Sequence, residues 1–112
     1  MKDDDDNYVE KLLDLYLGLP QTPSRSSRDD RRLAQQLCQQ KTPLETVESA
    51  FLLAIARRSF RDPALQPLQP IRSLHYFLPV IEELLATGVS LDYLQYLRRK
   101  LAPLLDQNMV SK

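Results

Sequence analysis

The sequence has too few cysteine, histidine and glycine residues for several common kinds of functional site. One cysteine excludes an internal disulfide, and one histidine leaves no conventional zinc-binding set. Two glycines are too few for a phosphate-binding loop, which needs several close together. The longest apolar run covers only residues 50–56, whereas a membrane-spanning helix needs about 20. We therefore expect no cofactor, no metal site and no membrane association.

The length and charge of the chain indicate one small, mildly basic domain. Its 112 residues fit a single domain, because domains commonly have about 100–150 residues. Fifteen basic and fifteen acidic side chains cancel, so the total charge does not predict a polyanionic partner. The aspartate run 3–6 makes the first 20 residues acidic, which leaves the rest mildly basic. No basic segment followed by an apolar one opens the chain, so we expect a cytoplasmic protein.

Apolar residues at three- and four-residue spacing predict about five helices, and no segment shows the strict alternation of a strand. The sequence therefore predicts an all-α fold, a small orthogonal bundle over residues 8–105. An acidic extension, 1–7, precedes it, and a disordered tail, 106–112, follows it. The helices are expected at about 7–17, 28–40, 43–60 and 71 or 73–86, with a fifth from 91 that frays or breaks near Pro103.

Local signals mark where these helices begin. Thr42 and Glu45 have the spacing of a capping box, with Pro43 at the first helical position. Ser27 is the expected cap of the second helix. Pro79 falls inside the fourth helix and predicts a bend or a tight first turn. The link 61–70 holds three prolines, which forbid a regular helix there.

Catalytic residue combinations are absent from the sequence. His75 is the sole histidine, and a surface position at a helix end explains it more simply than catalysis. Glu82 and Glu83 are adjacent, so on a helix they point about 100° apart and cannot share a substrate. Cys38 lies on an apolar stripe, which is typical of a packed and unreactive thiol. We therefore predict that the protein is not an enzyme.

Arginine and tyrosine side chains give the sequence its clearest candidate site. Arg57, Arg58 and Arg61 end the third predicted helix, and Arg72 and Tyr76 lie at the start of the fourth. Guanidinium groups bind phosphate oxygens and aromatic rings stack on unpaired bases, so this mixture suits single-stranded nucleic acid. The alternative is structural, because the helix dipole favours arginines at a C-terminal end.

A second hypothesis is a protein–protein interaction module without intrinsic affinity for nucleic acid. Tyr93 and Tyr96 are three residues apart on the last predicted helix, beside Leu97. Tyrosines are enriched in protein interfaces. These three residues are the candidate docking face, and the oligomeric state is open.

Over roughly residues 8–85 the chain resembles a known family in the order of three segments. They are Tyr16 with Leu19 and Thr22-Pro23, the segment 43–47, and the segment 73–76. The resemblance is to the DnaD-like C-terminal domain, a small helical domain of bacterial and phage primosome and replication-initiation proteins. It implies a non-enzymatic accessory domain that acts on single-stranded or melted DNA, together with a replication or helicase-loading protein.

The recurrent element of that family is Tyr-x-x-x-Ile-x-x-x-Trp on its last helix, which is implicated in DNA binding. Tyr76, Val80 and Leu84 stand at these positions, with valine and leucine in place of isoleucine and tryptophan. The resemblance therefore implies that these three residues contact DNA. Core residues of a helix have the same spacing, so that interpretation stays open.

Overall fold

The part of the chain that the computed structural model describes contains five α-helices and one short 3-10 turn. This part covers residues 2–62, 64–66, 68–88 and 90–110, with side chains from Asp5 to Pro103. No β-strand occurs in these ranges, so the predicted all-α class and helical bundle are confirmed. The helices are α1 Lys2–Leu17, α2 Arg28–Gln39, α3 Leu44–Ser59, α4 Leu78–Thr87 and α5 Leu91–Val110, and the 3-10 turn is Leu74–Phe77.

Helix α3 lies at the centre of the bundle, as its apolar run 50–56 predicts. It packs against α1, α4, α5 and the 3-10 turn, whereas α2 packs against α1 and the turn. Three buried rings meet in the core. The centroid of Phe51 lies 6.4 Å from that of Tyr16 and 4.8 Å from that of Phe77, and the last two lie 6.0 Å apart. Since aromatic side chains bury large apolar areas, this cluster joins α1, α3 and the turn.

Both terminal helices are longer than the sequence pattern predicts. Helix α1 begins at Lys2, so the predicted extension 1–7 overlaps its first turns, where the dipole favours acidic residues. Helix α5 continues through Pro103 to Val110, so the predicted break is wrong. A proline removes one backbone hydrogen bond, and at the exposed Pro103 water can replace it. Most of the predicted tail, 106–112, overlaps α5, and residues 111–112 lie outside the described part.

Helix α2 begins as predicted, and helix α3 does not. Ser27 Oγ accepts a hydrogen bond from Asp30 N at 3.0 Å, and Asp30 Oδ2 accepts one from Ser27 N at 2.9 Å. This is a complete capping box. The box predicted between Thr42 and Glu45 is wrong, because α3 has Pro43 as its N-cap and no side chain caps it.

The capping box cannot be completed at Thr42, because its backbone N–H is used at the end of α2. Its N–H donates to Leu37 O at 3.0 Å, and the N–H of Lys41 donates to Cys38 O at 3.0 Å. These two bonds, with Lys41 at φ 60°, form a Schellman motif. Tyr8 Oη also donates to Thr42 O at 2.7 Å. The Thr42 N–H is therefore occupied, and α1 is fixed against the same loop.

The fourth helix starts with a tight turn, which is one of the two outcomes predicted from Pro79. The 3-10 turn comes first, and Pro79 lies in the first turn of α4, where a missing N–H costs no hydrogen bond. The N–H of Leu74 donates to Asp30 Oδ1 at 2.9 Å. Asp30 is only 1% exposed. This buried carboxyl group therefore joins the start of α2 to the turn that carries Tyr76.

Candidate nucleic-acid interface

Arg58 and Tyr76, two of the residues predicted to bind nucleic acid, are in direct contact. Arg58 Nη1 donates to Tyr76 Oη at 3.1 Å, and the guanidinium carbon lies 5.4 Å from the ring centroid. This distance is within the range of a cation–π interaction. The Tyr76 side chain is 43% exposed. We call Arg58 and Tyr76, with the two residues Gln21 and Gln69 that also bond Arg58, the Tyr76 flank.

Arg58 joins three segments of the chain. Its Nη2 donates to Gln21 Oε1 at 2.6 Å and to Gln69 O at 2.8 Å. Gln21, at φ 64°, also accepts a hydrogen bond from Ile71 N through its backbone oxygen at 2.9 Å. The loop after α1, the proline-rich link and the 3-10 turn therefore meet at one guanidinium group. No carboxylate is among the partners of Arg58 in the described residues.

Arg61 and Arg72 lie at the two ends of the link between α3 and the 3-10 turn. Arg61 Nη1 donates to Gln66 O at 2.9 Å, which folds the start of the link back on itself. Arg72 is exposed and precedes Ser73, whose Oγ accepts a hydrogen bond from the backbone N–H of His75 at 3.0 Å. Each arginine is therefore close in sequence to a member of the Tyr76 flank.

Arg57 belongs to a different surface from its neighbour Arg58, since consecutive residues on a helix point about 100° apart. Its Nη1 and Nη2 donate to Glu83 Oε1 at 3.1 Å and Oε2 at 2.6 Å. This bidentate hydrogen bonding holds the pKa of the Glu83 carboxyl below its ordinary value. The structure thus commits Arg57 to a carboxylate on α4 and does not bring it into the Tyr76 flank.

Tyr76, Val80 and Leu84 do not share one exposed face. Leu84 is 6% exposed and belongs to the core. Val80 is partly buried and packs against the same core. Tyr76 lies on the 3-10 turn, before α4 begins, with its ring edge-on to Phe77 at 5.1 Å and 81°. Of the three residues, Tyr76 alone presents a large exposed ring.

The alternative docking face is present in part. Tyr93 and Tyr96 are exposed, and their rings stack at a centroid distance of 6.3 Å and an interplanar angle of 21°. Leu97 is 3% exposed and packs in the core, so it is not part of a surface. The exposed docking face therefore consists of the two tyrosines and does not include Leu97.

Two residues outside the predicted site complete an exposed cluster with these tyrosines. Phe60, just after α3, is 55% exposed. Lys100 Nζ lies 5.1 Å from the centroid of Phe60 and 5.7 Å from that of Tyr96, and it donates to Tyr96 Oη at 3.3 Å. We call Phe60, Tyr93, Tyr96 and Lys100 the Lys100 flank. The sequence feature that points to this flank is Phe60, which lies close to the arginines at the end of α3.

A surface groove of about 700 Å³ lies beside the Lys100 flank. Its floor and walls include Leu53 and Arg57 of α3, Glu83 and Thr87 of α4, and Tyr93 of α5. The ion pair between Arg57 and Glu83 therefore joins α3 to α4 within this groove.

The other candidate chemical groups, His75 and Cys38, belong to neither flank. His75 is exposed on the 3-10 turn. Cys38 Sγ donates to Asp5 Oδ1 at 3.4 Å, and burial followed by this hydrogen bond raises the pKa of the thiol. Among the described residues, no three His, Cys, Asp or Glu side chains are placed to hold a metal ion. In the same part of the chain, no helix has the length and apolarity needed to cross a bilayer.

Comparisons with known proteins give no match for this chain. No family model, no curated protein and no solved structure matches the chain. The DnaD-like resemblance therefore depends on the residues quoted above, and function has to be argued from the side chains at the end of α3.

Proposed function

We propose that this chain is a non-enzymatic accessory domain of a replication or mobile-element protein, and that it binds single-stranded or melted DNA weakly at the Tyr76 flank. The observation that supports this most is the contact between Arg58 and the exposed ring of Tyr76. An exposed ring offers a stacking surface to an unpaired base, and a guanidinium group beside it binds the adjoining phosphate.

Arg58 retains hydrogen-bonding capacity for a phosphate. It makes three hydrogen bonds to described residues, and a guanidinium group has five N–H donors. Its partners are a phenol, an amide and a backbone carbonyl, so its positive charge is not neutralised by a contacting carboxylate. Arg58 therefore has both donors and charge to offer a strand whose base stacks on Tyr76.

Arg61 and Arg72 extend the positive charge along the link. Neither forms an ion pair with a described residue, whereas Arg57 and Arg98 each bind a glutamate. A strand on the Tyr76 flank would therefore have Arg58, Arg61 and Arg72 available for phosphate oxygens. On single strands each neutralised phosphate contributes about −0.7 to the slope of log affinity against log salt concentration.

Fluorescence anisotropy with a labelled oligothymidylate at two salt concentrations tests this proposal. Tyr76→Ala should weaken binding by roughly 5- to 150-fold, the effect of losing one base–ring stack. Tyr76→Phe keeps the ring and should retain most of the affinity. Arg58→Ala should weaken binding and reduce the salt slope. Circular dichroism melting of each variant shows that it is folded under the binding conditions.

Arg57→Ala is the matched control, because it removes the adjacent arginine, which is bound to Glu83. It should leave the affinity and the salt slope close to those of the unaltered chain. The proposal is wrong if the unaltered chain binds no single strand at low salt. It is also wrong if Arg57→Ala weakens binding as much as Arg58→Ala does, because the Tyr76 flank would then have no special role.

The stacked pair Tyr93 and Tyr96, beside the groove lined by α3, α4 and α5, favours a second candidate function. In that function the chain is a protein–protein interaction module with no affinity for nucleic acid, and its partner is a replication or helicase-loading protein. Co-sedimentation with a replicative helicase or its loader tests it. Binding that is lost in Tyr93→Ala and kept in Tyr76→Ala, with no DNA binding by the unaltered chain, would favour this candidate.

A further inference from the structure

The Lys100 flank repeats the chemistry of the Tyr76 flank with different residues. A lysine ammonium group lies within 6 Å of two exposed rings, those of Phe60 and Tyr96, as the Arg58 guanidinium lies beside Tyr76. Tyr93 adds a third ring, stacked on Tyr96. The surface thus presents aromatic faces and a cation together.

Packing does not account for the exposure of these rings. Phe60 is 55% and Tyr96 48% exposed, although burial of a phenylalanine side chain is worth about 1.5–3 kcal/mol. Exposed aromatic side chains that lie close together mark interaction sites. The cluster therefore has the character of a binding surface.

Lys100 places a positive charge between two of these rings. Lys100 contacts a phenol and two ring faces, and it forms no ion pair with a described residue. Arg98, two residues earlier, differs from Lys100, because it binds Glu48 through two hydrogen bonds at 2.8 and 2.7 Å. Close to Phe60 in sequence, Asp62 accepts a hydrogen bond from Ala64 N at 2.9 Å. An uncommitted cation between two rings complements a phosphate between two bases.

The two flanks lie on opposite sides of the end of α3. Arg58 and Phe60 are two residues apart, and successive residues turn about 100°. Their contacts agree with this geometry, since Arg58 bonds the 3-10 turn and the ring of Phe60 contacts Lys100 of α5. A helix with its side chains is about 10–12 Å across. A single strand that crosses the end of α3 could therefore reach both flanks.

We propose that the Lys100 flank is a second base-stacking subsite, and that the ligand is a single strand of several nucleotides crossing the end of α3 from Tyr76 to Phe60 and Tyr96. This inference rests on the proposed function and extends it, because it adds a site and specifies the ligand. Duplex DNA does not fit, because its bases are already stacked on one another and cannot stack on two separate sets of rings. Lys100 is then the phosphate contact between the rings of Phe60 and Tyr96.

The test measures how affinity depends on the length of the strand. Labelled oligothymidylates of about 4 to 16 nucleotides cover the site sizes of known single-strand-binding folds. Phe60→Ala and Tyr96→Ala should each weaken binding of the longest oligomer by roughly 5- to 150-fold and leave the shortest unchanged. Tyr96→Phe keeps a ring and should behave as the unaltered chain. Lys100→Gln should reduce the salt slope by about 0.7 for long oligomers only.

Two matched controls lie away from the flank. Leu85→Ala removes an apolar side chain that is 49% exposed on α4, and Lys11→Gln removes an exposed lysine of α1. Both should leave the affinity unchanged at every length. Because all the altered residues are exposed, circular dichroism should show unchanged helix content.

The outcomes separate this inference from the proposed function. If the unaltered chain binds no single strand, the proposed function itself fails. If Tyr76→Ala weakens binding while Phe60→Ala and Tyr96→Ala do not at any length, only the second subsite is overturned. Equal losses for short and long oligomers would overturn the crossing path, because the two flanks would not act in sequence. Loss of a protein contact in Tyr96→Ala, with DNA binding intact, would assign the flank to a protein partner.

Discussion

The two flanks at the end of α3 use similar side chains but are held in place in different ways. The Tyr76 flank is connected to the interior, because Asp30 binds the N–H of Leu74 at the start of the turn that carries Tyr76. The Lys100 flank is held by the packing of α5 on α3 and by the surface contacts of Lys100. One flank is therefore pre-organised by a buried polar group, and the other can adapt its side chains.

This difference has a consequence for binding. A site whose groups are already fixed loses less conformational entropy when a ligand binds. Immobilising a flexible side chain costs about 0.5–1.5 kcal/mol, and Lys100 is a long and exposed example. We therefore expect the Tyr76 flank to bind a strand first and the Lys100 flank to add to it.

The largest effect on this comparison should come from Asp30→Ala. Asp30 accepts hydrogen bonds from two backbone N–H groups, those of Ser27 and Leu74, and it is 1% exposed. Its loss leaves a buried donor without a partner, so we expect the free energy of unfolding to fall by about 4 kcal/mol. Urea denaturation followed by circular dichroism measures the change.

Asp29→Ala is the matched control for that variant. Asp29 is the neighbouring exposed aspartate in the same first turn, and an exposed substitution usually changes stability by no more than about 0.5 kcal/mol. Equal losses for the two aspartates would contradict the buried anchor. The comparison of the flanks would then lose its basis.

The next largest effect on stability should come from Tyr16, whose ring packs edge-on against Phe77 of the turn. Burial, and then the charge of Asp30, raise the pKa of Tyr16 from 10.0 to about 12. Since the folded state disfavours the phenolate, this contribution to stability is complete below pH 10 and is lost as the pH rises towards 12. The loss from this residue is at most about 3 kcal/mol, because one pKa unit corresponds to about 1.4 kcal/mol.

Tyr16→Phe separates this contribution from the others. The Tyr16 hydroxyl makes no hydrogen bond with any described residue, so its removal should leave stability at neutral pH equal or slightly higher. Urea midpoints measured below pH 10 and near pH 12 should fall less in this variant than in the unaltered chain. Part of the fall remains, because the pKa of Tyr8 is also raised to about 12. An identical fall in both proteins would show that Tyr16 does not titrate in this way.

The sequence predicts the fold well because the spacing of apolar residues and the residues that begin and end helices act locally. The Ser27 cap and the tight turn at Pro79 follow from residues within four positions of each other. The Thr42 box fails for a reason that is not local to α3. The same residue also closes α2, and the backbone bond to Leu37 takes its only N–H.

The candidate site is harder to predict because it depends on which helices are neighbours. Arg57 and Arg58 are equivalent in the sequence, yet one faces Glu83 of α4 and the other faces Tyr76. No periodicity gives the partner of a surface arginine. Leu84 and Leu97 show the reverse problem. Leu84 stands at a motif position and Leu97 follows Tyr96 in the sequence, yet both side chains are buried in the core.

The third prediction compares the two flanks directly through stability. Tyr76→Ala removes the hydrogen bond with Arg58 and the edge contact with Phe77, which should lower the free energy of unfolding by about 1–2 kcal/mol. Phe60→Ala removes a ring that is 55% exposed, so the change should stay within about 0.5 kcal/mol. Thermal melting of both variants measures the difference. A larger loss for Phe60→Ala would show that the Lys100 flank is the more firmly anchored of the two.

The smallest effect should come from the ion pair between Arg57 and Glu83, which belongs to neither flank. Both side chains are exposed, and salt screens such pairs. The lowered pKa of Glu83 means that the contribution is present above its ordinary value of 4.5 and is lost as the pH falls through the lowered value. Glu83→Gln should therefore shift the urea midpoint slightly at neutral pH and low salt, and not at all in high salt or strong acid. A shift as large as that of Tyr76→Ala would mean that Arg57 anchors the end of α3, and the distinction drawn between it and Arg58 would be wrong.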